Sequence, residues 1–411
     1  MKNKLIHLFF FLFLLFPTLI LTSGKKEFNL SEIISIGLKT NPLISAKLRE
    51  TEAKKAAYQA SKRLFNPELE YYRGKGKGYH SDEKVNTEGF SLTQPLENPF
   101  KRKYRIRMFE KDWQAAQSLL DFSKLELIYE IKNLFYKILL LKNKETPALK
   151  NLNSLKEIHQ LILKRAKLGE VKELEAIKLY VETLKAQNEL NKVRTELKLA
   201  KANLNKFLGN SLPSDFSLQG KLSYKFLPIE EKSLIEKTLL SHPLIRKKEK
   251  ELEKAQSNLN YVRWQRFPDP KISGFVNKEI DGRNKGVGIS WEIPLWNFKS
   301  KEIAEATSLA MKKKEELKAL RMELRTEIKT KFSGLQLSEQ TINLFLSGLL
   351  RKAEESLRIA EISYKQGEIS LIDYLDSQRT YYSILKDYQE SLYNWNANKA
   401  SLEKSIGEEI K

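Results

Sequence analysis

Catalysis or metal binding needs side chains that move protons, attack an electrophile or ligate an ion, and this chain is poor in all three. It has four histidines and no cysteine. His7, His80, His159 and His242 fall in an apolar leader, a polar loop, a helix and a helix kink, with no shared local motif. No Ser/His/Asp set, ligand cluster or catalytic carboxylate pair emerges at a useful spacing. The expectation is a protein that is not an enzyme and holds neither cofactor nor resident metal. Gly74-Lys75-Gly76-Lys77-Gly78 has the composition of a phosphate-cradling loop, but no helix follows to supply an anion-binding N-terminus, so it reads as a polar surface loop extending to Asn86. The formal net charge of +21 raises nucleic acid as a partner. The lysines are spread along helical segments and no patch of stacking aromatics accompanies them, which excludes that class and leaves a solvated basic surface facing an acidic partner or anionic lipid.

The elements behind these residues come in two copies. Leu168-Gly169-Glu170-Val171 precedes Gln366-Gly367-Glu368-Ile369 by 198 positions, and Lys201 to Gly209 keeps that offset from Lys399 to Gly407. Asn41-Pro42-Leu43-Ile44 answers His242-Pro243-Leu244-Ile245, and Gln94-Pro95-Leu96 answers Ile293-Pro294-Leu295. The chain is one unit of about 200 residues used twice. We divide it into a leader over 1–24, a first repeat over 25–228 and a second over 229–411.

Each repeat reads as helix, break, two strands, then a very long helix that turns and returns. In the first, helical composition runs from Leu30 to Leu64 with a kink at Asn41-Pro42, and again from Pro99 to Leu168 with an interruption near Thr146-Pro147. After Gly169, residues Ala176, Leu179, Thr183, Ala186, Leu190, Val193, Leu197, Ala200, Leu204 and Phe207 alternate spacings of three and four, the seam of a left-handed coiled coil. Its second copy, Leu371 to Ile406, is bulkier, with Tyr382, Tyr388 and Trp395. Helices of this length form a rod or tube.

The N-terminus places Lys2 and Lys4 before an apolar run from Leu5 to Phe16, then Pro17 and Thr22-Ser23-Gly24, the order of a secretory signal peptide. In the strand segments, Val287, Ile289, Trp291 and Ile293 alternate with small or polar residues, as do Phe90 and Leu92, and Ile272, Gly274 and Val276, the last spoiled by Phe275. Glu279 to Asn284 reads as the connecting loop. Segments of about ten alternating residues suit an outer-membrane barrel. Two strands per repeat give four per chain, too few to close without exposing edges, so the chain must oligomerise if they cross a membrane. A trimer would supply twelve strands and leave an opening.

The duplicated plan resembles the TolC-like outer-membrane efflux family over essentially the whole mature chain. Ser363 to Arg379, reading SYKQGEISLIDYLDSQR, is similar to the family's signature around a periplasmic helix turn. Leu64-Phe65-Asn66-Pro67-Glu68-Leu69, Gln94-Pro95-Leu96 with Lys101-Arg102, and Pro294-Leu295-Trp296-Asn297 leading to Ile303-Ala304-Glu305-Ala306 resemble the branch serving heavy-metal resistance pumps. The resemblance implies a mainly α fold: a homotrimer whose long helical hairpins form a periplasmic α-barrel beneath a twelve-stranded transmembrane β-barrel. It also implies a passive duct fed by an inner-membrane pump of the RND type, or another transporter, through a periplasmic adaptor. Polypeptide secretion uses ducts of the same shape. A soluble coiled-coil adaptor, the rival of another class, would lack lipid-facing strands.

Carried over by position, Gly169 and Gly367 mark the two helix turns, and Asp373 and Asp376 fall where the family places acidic rings at the aperture. Their first-repeat counterparts are Glu175 and Lys178, so Glu175 joins the candidate aperture set. The plainer role for Asp373 and Asp376 is charge compensation at a helix N-terminus. Ile369 stands where some relatives carry a basic residue that holds the aperture shut, and the absence of cysteine rules out the lipid anchor that several relatives have.

Overall fold

The computed structural model describes residues 27–77, 84–213 and 215–410, so the expected leader, His7 and His80 lie outside it. β1 (Glu27–Phe28) pairs in parallel with β4 (Ser217–Leu218) and pins the start of the chain. α1 (Leu30–Thr40) and α2 (Pro42–Ser61) are separated at Asn41, whose side chain accepts from the N–H groups of Leu43 and Ile44 while Pro42 occupies the first helical turn. The second repeat reproduces this joint between α5 (Glu231–Ser241) and α6 (Pro243–Trp264), with His242 Nδ1 accepting from Leu244 N. Burial lowers the pKa of His242, which suits a neutral acceptor. α2 ends at Ser61, short of the expected Leu64, because the chain must turn before Pro67 into the sheet.

β2 (Glu68–Lys77), β3 (Lys84–Pro95), β5 (Lys271–Lys278) and β6 (Arg283–Ser290) form one antiparallel sheet in the order β2-β3-β5-β6. Of the polar segments read as loops, 74–77 and 84–86 are strand and 78–83 lie outside the described residues, while 283–284 belong to β6 and 279–282 connect β5 to β6. β6 stops at Ser290, so Trp291 and Ile293 lie beyond the ladder. Register sorts the two faces. On one, Leu69, Leu92, Gly274 and Val287 form a row across all four strands, with Tyr71, Phe90 and Val276 on one side of it and Ile272 and Ile289 on the other. The opposite face is small or polar, and there Tyr72 lies against Gly89 and Phe275 against Gly286, each directly across the strand pair. A Cβ on Gly89 would sit 2.3 Å from the Tyr72 ring and one on Gly286 2.8 Å from the Phe275 ring. Phe275 thus fits the alternation, filling the space its partner glycine leaves open.

α3 (Pro99–Lys167) is 69 residues long, on the order of 100 Å at the usual rise. Contrary to expectation it runs through Pro147 without a break. A proline removes one ladder hydrogen bond, and here the bonds on either side and the packing of Leu140, Leu141, Leu152 and Leu155 hold the helix together. The interruption lies in the second repeat. α7 (Ser300–Leu344) passes through a π-helical turn, Phe345–Leu349, into α8 (Leu350–Gln366), with Gly348 at φ 125°. α4 (Glu173–Phe207) and α9 (Leu371–Ile406) are the returning helices. α3 is the hub, packing on α1, α2, α4, α6 and α9, while α9 also lies against α7 and α8. One apolar core surrounds Ile131, Ile138, Leu204 and Ile328, and a second joins the two hairpins near their turns through Leu155, Ile162, Leu179 and Tyr374. Among the described residues no helix is long and apolar enough to cross a membrane.

The candidate aperture at the two helix turns

The seam expected on α4 is its buried face: Ala176, Leu179, Thr183, Ala186, Leu190, Val193, Ala200 and Leu204 are buried, with Leu197 and Phe207 partly so. It leads to a turn built the same way in both repeats. Gly169 has φ +76° and Gly367 φ +80°, the left-handed conformation that glycine adopts without a Cβ clash. Around each, two bonds close the preceding helix in a Schellman motif. Gly169 N donates to Ala166 O at 3.0 Å and Glu170 N to Arg165 O at 3.0 Å. Gly367 N donates to Tyr364 O at 3.1 Å and Glu368 N to Ser363 O at 2.9 Å. The side chains at these positions also correspond: Arg165 Nε donates to Glu170 Oε2 at 3.0 Å, and Ser363 Oγ to Glu368 Oε2 at 2.8 Å.

Past the glycine the repeats diverge. α9 begins with a capping box: Asp373 N donates to Ser370 Oγ at 3.3 Å, and the Asp373 carboxylate accepts from Ser370 Oγ at 2.6 Å and from Ser370 N at 3.2 Å. α4 has Lys172 at the same place and no side-chain cap. Asp373 and Asp376 are both exposed, one turn apart on the face of α9 opposite the buried Leu371, Tyr374, Leu375 and Gln378. Asp373 is occupied by the cap; no hydrogen bond or ion pair with a described residue engages Asp376. Glu175 is half-buried at the first turn, where its charge, after burial, helps to raise the pKa of Tyr364. The three acids therefore share one end of the molecule in unequal settings. Among the described residues no group of three or more His, Cys, Asp or Glu is placed to hold a metal.

The charges around the turns are also unequal. Residues 164–178 contain five bases and three acids, net +2, whereas 362–376 contain one base and three acids, net −2. Ile369 is partly buried against the apolar cluster that ties the hairpins together.

Sequence reading missed the ion pairs that cross between the hairpins. Arg379 reaches Glu182 on α4 at 2.8 Å, and Lys386 lies 3.6 Å from Glu189. Burial raises the pKa of Glu182, but hydrogen bonds from Lys185 and Arg379 outweigh it and hold the carboxyl below its ordinary value. Only the seven-residue spacing shared by Glu182–Glu189 and Arg379–Lys386 could have signalled these partners.

The cobalt-zinc-cadmium resistance protein CzcC of Cupriavidus metallidurans is 23% identical over 354 residues, covering 85% of this chain and 83% of that protein. Among solved structures, the outer-membrane channel OprN superposes with a TM-score of 0.81 at 18% identity, covering 92% of this chain and 89% of that one. CusC, whose structures were described in terms of folding and transmembrane channel formation, gives 0.79 at 15% identity and 92% of both chains. These likenesses show that the chain has the fold of those channels. Residues 33–210 and 234–408 each match the Outer membrane efflux protein family, one match per repeat, and the chain belongs to that family.

Proposed function

We propose that three copies of this chain form the outer-membrane duct of a tripartite efflux system, passing heavy-metal cations delivered by an inner-membrane pump of the RND type through a periplasmic adaptor. The observation that carries the assembly is a second seam on α4. Leu174, Ile177, Val181 and Leu184 repeat at spacings of three and four, and each is at least 43% exposed. α4 packs on α3 through its other face, so this stripe has no cover within one protomer. α8 offers exposed Ile359 and Ile362 at the other edge of the hairpin pair. Exposed helical seams and an open four-stranded sheet both call for a neighbouring copy. The likeness to CzcC supports the cargo class, as does the acidic second turn.

In such a trimer Asp373 and Asp376 recur three times around one axis, where a ring of carboxylates attracts cations. The ion pairs from Arg379 and Lys386 hold the second hairpin against the first, so opening moves α8 and α9 away from α3 and α4. Planar-bilayer conductance tests the reading. The wild type is expected to prefer cations and to be blocked by trivalent cations from the periplasmic side. Asp376→Asn should weaken both properties more than Asp373→Asn, because only Asp376 is free of the cap. Unchanged selectivity and block in the double variant would remove the acidic ring from the proposal.

A further inference from the structure

The repeat Gly74-Lys75-Gly76 is left unused by the duct, and strand register gives it a meaning. Alternation puts both glycines on the small, polar face and Lys75 on the apolar one. The same holds along the far end of the sheet, away from the helices. There the apolar face is succeeded by a row of Arg73, Glu88, Lys278 and Arg283, with Lys285 beside Val276 and Lys75 beyond Arg73. Five bases and one acid thus crown the apolar band, and all five bases are exposed. At the same level the opposite face carries Gly74, Gly76, Thr87, Asn277 and Asn284, all uncharged. The charge therefore faces outward, where lipid lies, and not into the conduit.

Two features argue that this collar has an anionic partner. Lys278 stands directly across from Arg283 in the ladder, a like-charge pair that is unfavourable on its own. Among the described residues none of the five bases is engaged in an ion pair or side-chain hydrogen bond. The other edge of the apolar band has a different chemistry, with Trp291, Ile293, Leu295, Trp296 and Phe298 each at least 60% exposed. Aromatic and aliphatic side chains suit a membrane interface, but a dense basic row needs anions at the matching depth. We propose that Arg73, Lys75, Lys278, Arg283 and Lys285 bind the phosphate-bearing headgroups of outer-leaflet lipid, anchoring the barrel at a fixed height. Part of the net positive charge is thereby assigned to the membrane and kept out of the cation path.

The test uses the full-length protein reconstituted in phosphatidylcholine vesicles doped with diphosphoryl lipid A, monophosphoryl lipid A or neither, re-extracted, and assayed for co-purifying lipid by mass spectrometry. The diphosphoryl form should be enriched over its bulk fraction on the order of tenfold, the monophosphoryl form less, and both enrichments should fall at high salt. Replacing the five bases with Gln should abolish the preference, while an equal number of Lys→Gln changes on exposed helix, including Lys314 and Lys329, should leave it intact. If the collar variant does not assemble, the wild-type comparison of the two lipids still decides. No preference for phosphate number, or complete displacement of lipid by millimolar inorganic phosphate, would overturn the assignment.

Discussion

The first helix turn is uncapped, basic and packed through Ala176; the second is capped, acidic and packed at the matching position through Tyr374. Their backbones are nevertheless superimposable in kind, down to the two Schellman bonds and the side-chain contact to the following glutamate. Duplication thus preserved how the chain reverses and changed what the reversal presents. The difference has a packing cause as well as a chemical one. α4 packs chiefly on α3 and has a small residue at this position, whereas α9 packs on both α3 and α8 and fills the junction with the large Tyr374 ring.

Removing that residue should separate the turns most. Tyr374 is 2% exposed and stacks on Tyr364 at 5.3 Å between centroids. Truncating a buried aromatic costs about 3–5 kcal/mol, so Tyr374→Ala should accelerate amide exchange over 365–380 by several orders of magnitude while leaving 167–180 nearly unchanged. Equal acceleration at both turns would mean that they open as one unit and that the packing contrast is not functional.

The shared backbone is the next comparison. Forcing a Cβ into the left-handed region costs about 1–2 kcal/mol, and nothing lies within 4 Å of the Cβ that either Gly169 or Gly367 would gain. Gly169→Ala and Gly367→Ala should therefore be destabilising to the same extent, read as equal increases in local exchange or protease nicking. A markedly worse Gly367 variant would point to a conformational change that uses this turn.

Capping gives a smaller contrast with a built-in reciprocal. Ser370→Ala should weaken the start of α9 by about 1 kcal/mol, and Lys172→Ser should strengthen the start of α4 by a similar or smaller amount. Both are measurable as exchange protection in the first turn of each helix. If Lys172→Ser stabilises and also lowers conductance, the uncapped first turn contributes to opening.

Much of this was legible in one dimension because it rests on local chemistry. A glycine after a helical run and a three-four alternation need no partner to be read, and Gly169, Gly367 and the α4 seam follow from them. Pro147 misled because its local effect is to break a helix, while the flanking packing on α3 overrides it. Gly348 was passed over because an isolated glycine signals a break only weakly, yet its φ of 125° marks the real one. The loop reading of Gly74 to Asn86 failed at 74–77 and 84–86 for the reverse reason: glycine and lysine are poor strand formers alone, but the ladder set by the Tyr71–Phe90 and Tyr72–Gly89 pairs continues into both stretches. Arg379 and Glu182 are 197 positions apart, and no local pattern brings them together.

That pair gives the smallest effect and the most direct link between the two turns. The Arg379 side chain is 54% exposed, so a double-mutant cycle of Glu182→Gln and Arg379→Gln should return a coupling of only about 0.2–1 kcal/mol, toward the lower end. Its pH dependence is more informative than its size. Because the folded-state pKa of Glu182 lies below the ordinary carboxylate value, the stabilisation is complete above that ordinary value of about 4.3 and is lost as pH falls through the depressed one. Acidification should therefore loosen α9 from α4, seen as a rise in cysteine cross-linking access or open probability that Glu182→Gln abolishes. The Lys386–Glu189 contact, longer at 3.6 Å, should return a smaller coupling in the same kind of cycle. If acid opens the wild type and the Glu182→Gln variant alike, the Arg379–Glu182 pair does not set the acid response.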